Sequence, residues 1–181
     1  MTKIRRINLF GGPCTRKSTL ANYITSELKS SKYNCEHIQE FIKEWVYLKR
    51  KPESFDQFFV FANQLYKEDV FLRNGVNIIV TDAPLLLNIF YIYLFKNNYY
   101  KDLIPVFNQF EKKYFSLNIF LKRPKWTKYK EEGRYHTEKQ AKHIDVFLPE
   151  FLKIYKLSFS EFSFHKKEDI VKFIFDRLKN K

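Results

Sequence analysis

Cysteine is nearly absent from this sequence: Cys14 and Cys35 are the only two among 181 residues. Their number and spacing exclude a disulfide framework and a cysteine-built zinc site, so reduced thiols are expected. His136, His143 and His165 do not stand at a metal-ligand spacing either. A long hydrophobic run is also missing. The longest apolar stretch, Pro84 to Phe95, is interrupted by Asn88 and falls short of the roughly 20 residues a membrane-spanning helix needs. No span and no membrane partner are predicted. The N-terminal "MTKIRRINLFGG" runs charges into a strand-like segment. It lacks the apolar core and small-residue cleavage site of a secretory signal, and a cytoplasmic location is expected.

What the chain does have is apolar and cationic. Hydrophobic residues make up 45% of it and aromatic residues 19%, which excludes a disordered tail or a low-complexity linker. At this length a single domain over residues 1–181 is expected. Thirty-three Lys and Arg against 20 Asp and Glu give a formal net charge of +13. Such a charge attracts a polyanion such as nucleic acid. A composition biased towards Lys, Asn, Ile, Phe and Tyr, with four Gly, accounts for it equally well, and both readings stay open.

Along the chain, strand-like and helix-like segments alternate. Ile4 to Phe10 reads as a strand ending at Gly11-Gly12-Pro13, and Leu20, Ile24 and Leu28 then fall four apart, as on one helix face. "YNCEHI" is a second strand, ending at Gln39 and Glu40. Ser54 with Gln57 three residues later predicts a capping box opening a long helix that ends at Asn74-Gly75. "VNIIVTD" reads as a buried strand closed by Asp82-Ala83-Pro84. Leu85 to Phe95 and Lys101 to Tyr114 read as helices, and "LNIFL" as a strand ending at Lys122-Arg123-Pro124. A basic aromatic loop follows. Thr137 with Gln140 then caps a helix that Pro149 is expected to kink or restart. "FSEFSF" and Ile170 to Leu178 supply a last strand and helix. This alternation predicts a largely parallel sheet with helices on both faces. Ligands of such sheets sit outside the carboxyl ends of the strands.

Those ends carry the candidate chemistry. "LFGGPCTRKSTL" matches the phosphate-loop pattern G-x-x-x-x-G-K-[ST] except that Arg16 stands where the second glycine belongs. A strand before it and a helix within it let backbone N–H groups and the helix N-terminus cradle phosphates. Gly11, Gly12, Pro13, Cys14, Thr15, Arg16, Lys17, Ser18 and Thr19 are the candidate nucleotide-binding residues. Lys17 would reach the β and γ phosphates of ATP, and the Ser18 hydroxyl would hold Mg²⁺. A non-glycine residue held at positive φ at position 16 costs on the order of 1 kcal/mol. Asp82, at the polar end of a buried strand, suits a Mg²⁺-organising carboxylate, and Glu40 suits one that orients or deprotonates an acceptor hydroxyl. Arg123 and Arg134 flank the basic loop, and their guanidinium forks suit a transferring phosphoryl group. Tyr129 and Trp126 offer rings on which a base could stack, though packing explains either equally well.

On "NLFGGPCTRKSTL", "QEFIKE", "DQFFVFANQ", "IIVTDAPLLL", "IFLKRP" and "YKEEGRYHTEKQAKHID", in that order over most of the chain, the sequence resembles the small P-loop kinases. Within them it resembles the group that includes nicotinamide riboside kinase-like domains and phage 5-hydroxymethyluracil DNA kinases. The resemblance implies a three-layer αβα P-loop kinase fold with a mostly parallel five-stranded sheet and a lid at about residues 124–136. It also implies ATP, Mg²⁺ and phosphoryl transfer to a hydroxyl. Lys17 and Ser18 take the phosphate and metal roles by this resemblance, Asp82 the metal or base role, and Arg123 and Arg134 the lid role. The leading expectation is an ATP-dependent kinase acting on a hydroxymethylated pyrimidine base in phage DNA. A small-molecule nucleoside or nucleotide kinase is the first alternative, and a catalytically weak nucleotide-binding module, motivated by Arg16, is the second. The choice of Glu40 or Asp82 as base stays open, as does the oligomeric state.

Overall fold

Five segments form strands: β1 Arg6–Phe10, β2 Cys35–Ile38, β3 Ile78–Thr81, β4 Ser116–Lys122 and β5 Ser160–Ser163, of which β1, β3 and β4 are the most apolar and buried. The computed structural model describes residues 3–124, 128–130 and 132–179. The strands pair in the order β2-β3-β1-β4-β5, and each of the four pairings is parallel. Parallel neighbours need crossovers, and helices supply them: α1 Lys17–Ser30, α2 Lys43–Tyr47, α3 Asp56–Arg73, α4 Leu85–Leu94, α5 Tyr100–Lys113, α6 Glu138–Ile154 and α7 Lys167–Lys179. No helix among the described residues is long and apolar enough to cross a membrane.

Alternation along the strands divides the core into two faces. Ile7 and Leu9 of β1 pack with Leu20, Ile24 and Leu28 of α1 and with Ile170 and Ile174 of α7. Phe10, Ile79 and Phe120 point the other way, into a larger cluster with Phe61, Phe90, Phe107 and Leu148 from α3 to α6. β1 lies at the centre, and all five of its residues are buried, as a strand covered on both sides must be.

The second face also holds polar groups, several of them tied into one chain of hydrogen bonds. Arg6, with no solvent exposure, donates to Glu68 at 2.9 Å and to Glu111 at 2.8 Å. The Gln64 amide donates to Glu68 at 2.9 Å and to the Thr81 hydroxyl at 3.0 Å, and Thr81 in turn accepts from the backbone N–H of Ala83 at 3.2 Å. This chain of bonds runs from beneath the sheet to the turn that follows β3. It fixes the direction in which Asp82 leaves the strand.

Two local expectations are corrected. Ser54 does not cap α3: its φ is +45°, the capping position falls to Phe55, and no side chain caps the helix. Asp56 organises the entry instead, its carboxylate accepting from the Glu53 N–H and from Arg50 at 3.0 Å each. Pro149 neither kinks nor restarts a helix, because α6 runs unbroken from Glu138 to Ile154. Buried Ile144, Leu148, Phe151 and Leu152 hold both sides of the proline, and their packing outweighs a missing hydrogen bond that costs roughly 3 kcal/mol. The Thr137–Gln140 capping box forms as expected, with both reciprocal bonds present.

Candidate active site

Because every strand runs the same way, the segments after β1, β2, β3 and β4 emerge on one rim, where ligands of open parallel sheets bind. The first is the glycine-rich loop. Lys17 opens α1 and bends back so that its ammonium donates to the carbonyls of Gly11 at 2.8 Å and Gly12 at 3.1 Å. Burial pushes the Lys17 ammonium below its ordinary pKa, against the pull of Glu40 and Asp82. α1 has no side-chain cap and no acidic residue in its first turn, so its leading N–H groups are left for an anion.

Two non-glycine residues of this loop adopt the left-handed conformation, Cys14 at φ 65° and Arg16 at φ 68°. The departure at position 16 is therefore a real strain, of about 1 kcal/mol. The Arg16 guanidinium lies over the ring of Phe164, 5.0 Å from its centroid, just beyond β5. Gly12 cannot be replaced as cheaply. A Cβ there would run into the Asp145 carboxylate and come within 3.3 Å of the Ala141 carbonyl of α6.

Asp82 joins the loop to the opposite wall. It is 3% exposed, accepts from the backbone N–H of Glu40 at 3.2 Å, and lies 3.5 Å from His37 Nε2, with Ser18 close by. Burial alone would raise its pKa, but the neighbouring His37 and Ser18 side chains and the charge of Lys17 hold it below the usual carboxylate value. Glu40 is displaced the other way: burial pushes its carboxyl up against the pull of Lys17.

The two predicted arginines separate. Arg123 is committed to the fold, donating to both oxygens of Asp145, to one of them at 3.1 Å, and to the Pro13 carbonyl at 2.7 Å. It braces the glycine-rich loop against α6. Arg134 instead lines the cavity, and its charge acts on both Lys17 and Glu40. Residues 128–130 and 132–136 also border this region. Tyr129 donates to the His136 carbonyl, Tyr135 to the Arg50 carbonyl, and the Cys14 thiol to the Lys130 carbonyl at 3.5 Å. Arg123 also sits 5.9 Å from the Tyr129 ring centroid. Trp126 lies outside the described residues.

The glycine-rich loop, the segment around Arg134 and the α2–α4 region line a cavity of about 700 Å³, within the range of small-molecule sites. Pro13 through Thr19 form one side, and Glu40, Gln57, Asn88, Tyr91 and Phe95 lie on the other. Several of these were invisible in the sequence. Tyr91 reaches the cavity from α4 and stacks on His136, centroids 5.5 Å apart; burial raises its hydroxyl pKa and lowers that of His136. His37, Asp145, Asn88 and Gln57 carry no motif. Only Asp145 had a signal, since it lies one turn beyond Ala141 on the buried side of α6.

The donor set bears on a metal. Among the described residues no group of three His, Cys, Asp or Glu side chains could hold an ion alone. Ser18 and Asp82, which lie close enough to influence one another, offer one hydroxyl and one carboxylate, the partial oxygen shell that suits Mg²⁺ shared with substrate phosphates.

Comparison with known proteins adds the following. A family model described as AAA domain matches residues 6–168. No curated protein matches the chain. Among solved structures, NadR protein in complex with NR superposes with a TM-score of 0.65 at 17% identity, covering 87% of this chain and 45% of that one. The chain thus spans under half the length of NadR. APE1195 superposes with a TM-score of 0.53 at 13% identity, covering 99% and 96% of the two chains. An APS kinase, CysC of Mycobacterium tuberculosis, gives 0.44 at 10% identity, covering 84% and 99%. The architecture is a three-layer αβα fold shared with the NadR structure, with a five-stranded sheet that is wholly parallel.

Proposed function

The chain belongs to the AAA domain family, and from that premise we propose an ATP-dependent phosphotransferase that passes the γ-phosphoryl group to a hydroxyl of a small nucleoside-type acceptor. One observation carries this reading: a single cavity of about 700 Å³ has the glycine-rich loop on one wall and an apolar, carboxamide-bearing pocket on the other. The 0.65 superposition on a NadR structure that contains NR agrees with an acceptor of that size.

In this reading Lys17 leaves its two carbonyl partners to meet the β and γ phosphates, and the N–H groups of the loop and of α1 cradle them. Ser18 and Asp82 hold Mg²⁺ together with those phosphates; when bound, the ion neutralises charge on the phosphate oxygens. Glu40, on the cavity side of Asp82, orients the acceptor hydroxyl and takes its proton as transfer proceeds. Arg134 faces the developing charge from the lid, while Arg123 positions the loop through Pro13.

A second reading keeps a hydroxymethylated pyrimidine in DNA as acceptor. Its support is the cationic lining of the cavity, with Lys43, Lys51, Lys128, Lys130 and Arg134, in a chain of net charge +13. The modest size of the cavity favours the first reading, since a polymer's base would have to be flipped to reach Glu40. Labelled ATP offered with free nucleosides, nucleotides and hydroxymethyluracil-containing DNA decides between them. Label on a free nucleoside or nucleotide is expected; label on DNA alone selects the second reading. ATP binding without transfer to any acceptor would overturn both and leave a nucleotide-binding module.

A further inference from the structure

The acceptor wall holds a polar group for which the fold itself has no use. Gln57, in the first turn of α3, is 5% exposed overall and lines the cavity. Gln64, two turns further along the same helix, spends its amide on Glu68 and Thr81, and among the described residues no such bond within the fold engages the Gln57 carboxamide. Its polar atoms are not sealed away from solvent, so a ligand in the cavity can take up the hydrogen bonds that water otherwise fills. Asn88, 6% exposed on α4, lines the same space; its amide N–H is taken by the Ala83 carbonyl at 3.2 Å, which leaves its oxygen as a further acceptor. Apolar and aromatic groups, Ile42, Val46, Leu87, Tyr91 and Phe95, line the same cavity, the kind of lining that accepts a flat ring on its faces.

We propose that Gln57 is a specificity-determining residue that reads an amide edge, an N–H beside a C=O, on a planar ring of the acceptor. A carboxamide presents one donor and one acceptor side by side, and so pairs with such an edge through two bonds at once. Asn88 supplies a third contact as an acceptor. The edge could belong to the ring lactam of a uracil-type pyrimidine or to a carboxamide carried on a pyridinium ring.

The inference rests on the acceptor reading of this cavity, and its test omits ATP so that the two can fail separately. Isothermal titration compares uridine with 3-methyluridine, whose ring N–H is blocked, and nicotinamide riboside with nicotinic acid riboside, which lacks the amide N–H. Wild type is expected to bind the amide-bearing member of one pair about tenfold more tightly than its partner, the effect of one neutral hydrogen bond. Which pair shows the gap identifies the ring. Gln57→Leu is expected to abolish the gap, and the volume-conserving Gln57→Glu, which keeps the acceptor and loses the donor, is expected to weaken the favoured ligand while melting like wild type. The proposal is overturned if wild type shows no gap in either pair, if it binds none of the four, or if the gap survives in both variants. Phosphoryl transfer by a protein without Gln57-dependent binding would leave the kinase reading standing and remove this one.

Discussion

The two walls of the cavity are built on different principles. The proposed phosphate wall is one contiguous stretch, Gly11 to Thr19, which offers backbone N–H donors and a lysine at a helix start. The proposed acceptor wall is assembled from side chains on four separate segments: Glu40 after β2, Gln57 on α3, Asn88 and Tyr91 on α4, and the segment around Arg134. Asp82 links the two, with Ser18 near its carboxylate and the N–H of Glu40 donating to it. A wall made of backbone tolerates changes in its side chains, Arg16 and Cys14 included, provided the loop keeps its course. A wall made of scattered side chains depends on each of them.

The largest effect is expected where the two walls share a floor. Glu68→Leu removes the buried partner of Arg6 and the anchor of Gln64, and should cost about 3–5 kcal/mol of stability because it strands a buried charge. Denaturant unfolding measures it, and a loss below 1 kcal/mol would mean that Glu111 alone satisfies Arg6. Next comes the phosphate wall itself. Lys17→Ala should lower phosphoryl transfer about 10²–10³-fold for every acceptor alike while leaving acceptor affinity intact; an acceptor-dependent loss would show that the walls are not separable. Gly12→Ala forces a methyl against Asp145 and the α6 backbone, an overpacking that should cost about 1–3 kcal/mol and disturb the Arg123 brace. Thermal melting reads the first effect and ATP affinity the second. The smallest change is expected of Arg16→Gly. It relieves about 1 kcal/mol of backbone strain and gives up a contact with Phe164 of about 0.5–1 kcal/mol, so stability should move by less than 1 kcal/mol. ATP affinity that rises more than tenfold in this variant would mean that the side chain, not the strained backbone, had been limiting the loop.

The two walls were unequally legible in the sequence. The strand, loop and helix around Lys17 could be read because their signals are local: a strand-like run, adjacent glycines and apolar residues four apart. The five strands were found, and so were the long helices, with ends shifted by one to three residues. Gln57 shows the limit. In the sequence it stands three residues after a serine and looks like half of a capping box; in the fold Ser54 turns away at φ +45° and Gln57 is drawn into the cavity. Arg123 and Arg134 look alike in the sequence, both basic and both beside the same loop. α6 brings Asp145 to Arg123 alone, and that single pairing separates a brace from a residue that faces the cavity.

The sequence by itself determined the alternation of strands and helices, the phosphate loop and the polar strand ends, because each depends on residues within a few positions of one another. The tertiary structure decided which strand ends meet, which arginine is spent, and which buried amide is left facing the cavity. Those outcomes depend on contacts between residues 22 to 110 positions apart, such as Arg123 with Asp145 and with Pro13, and no local pattern encodes a partner at that distance.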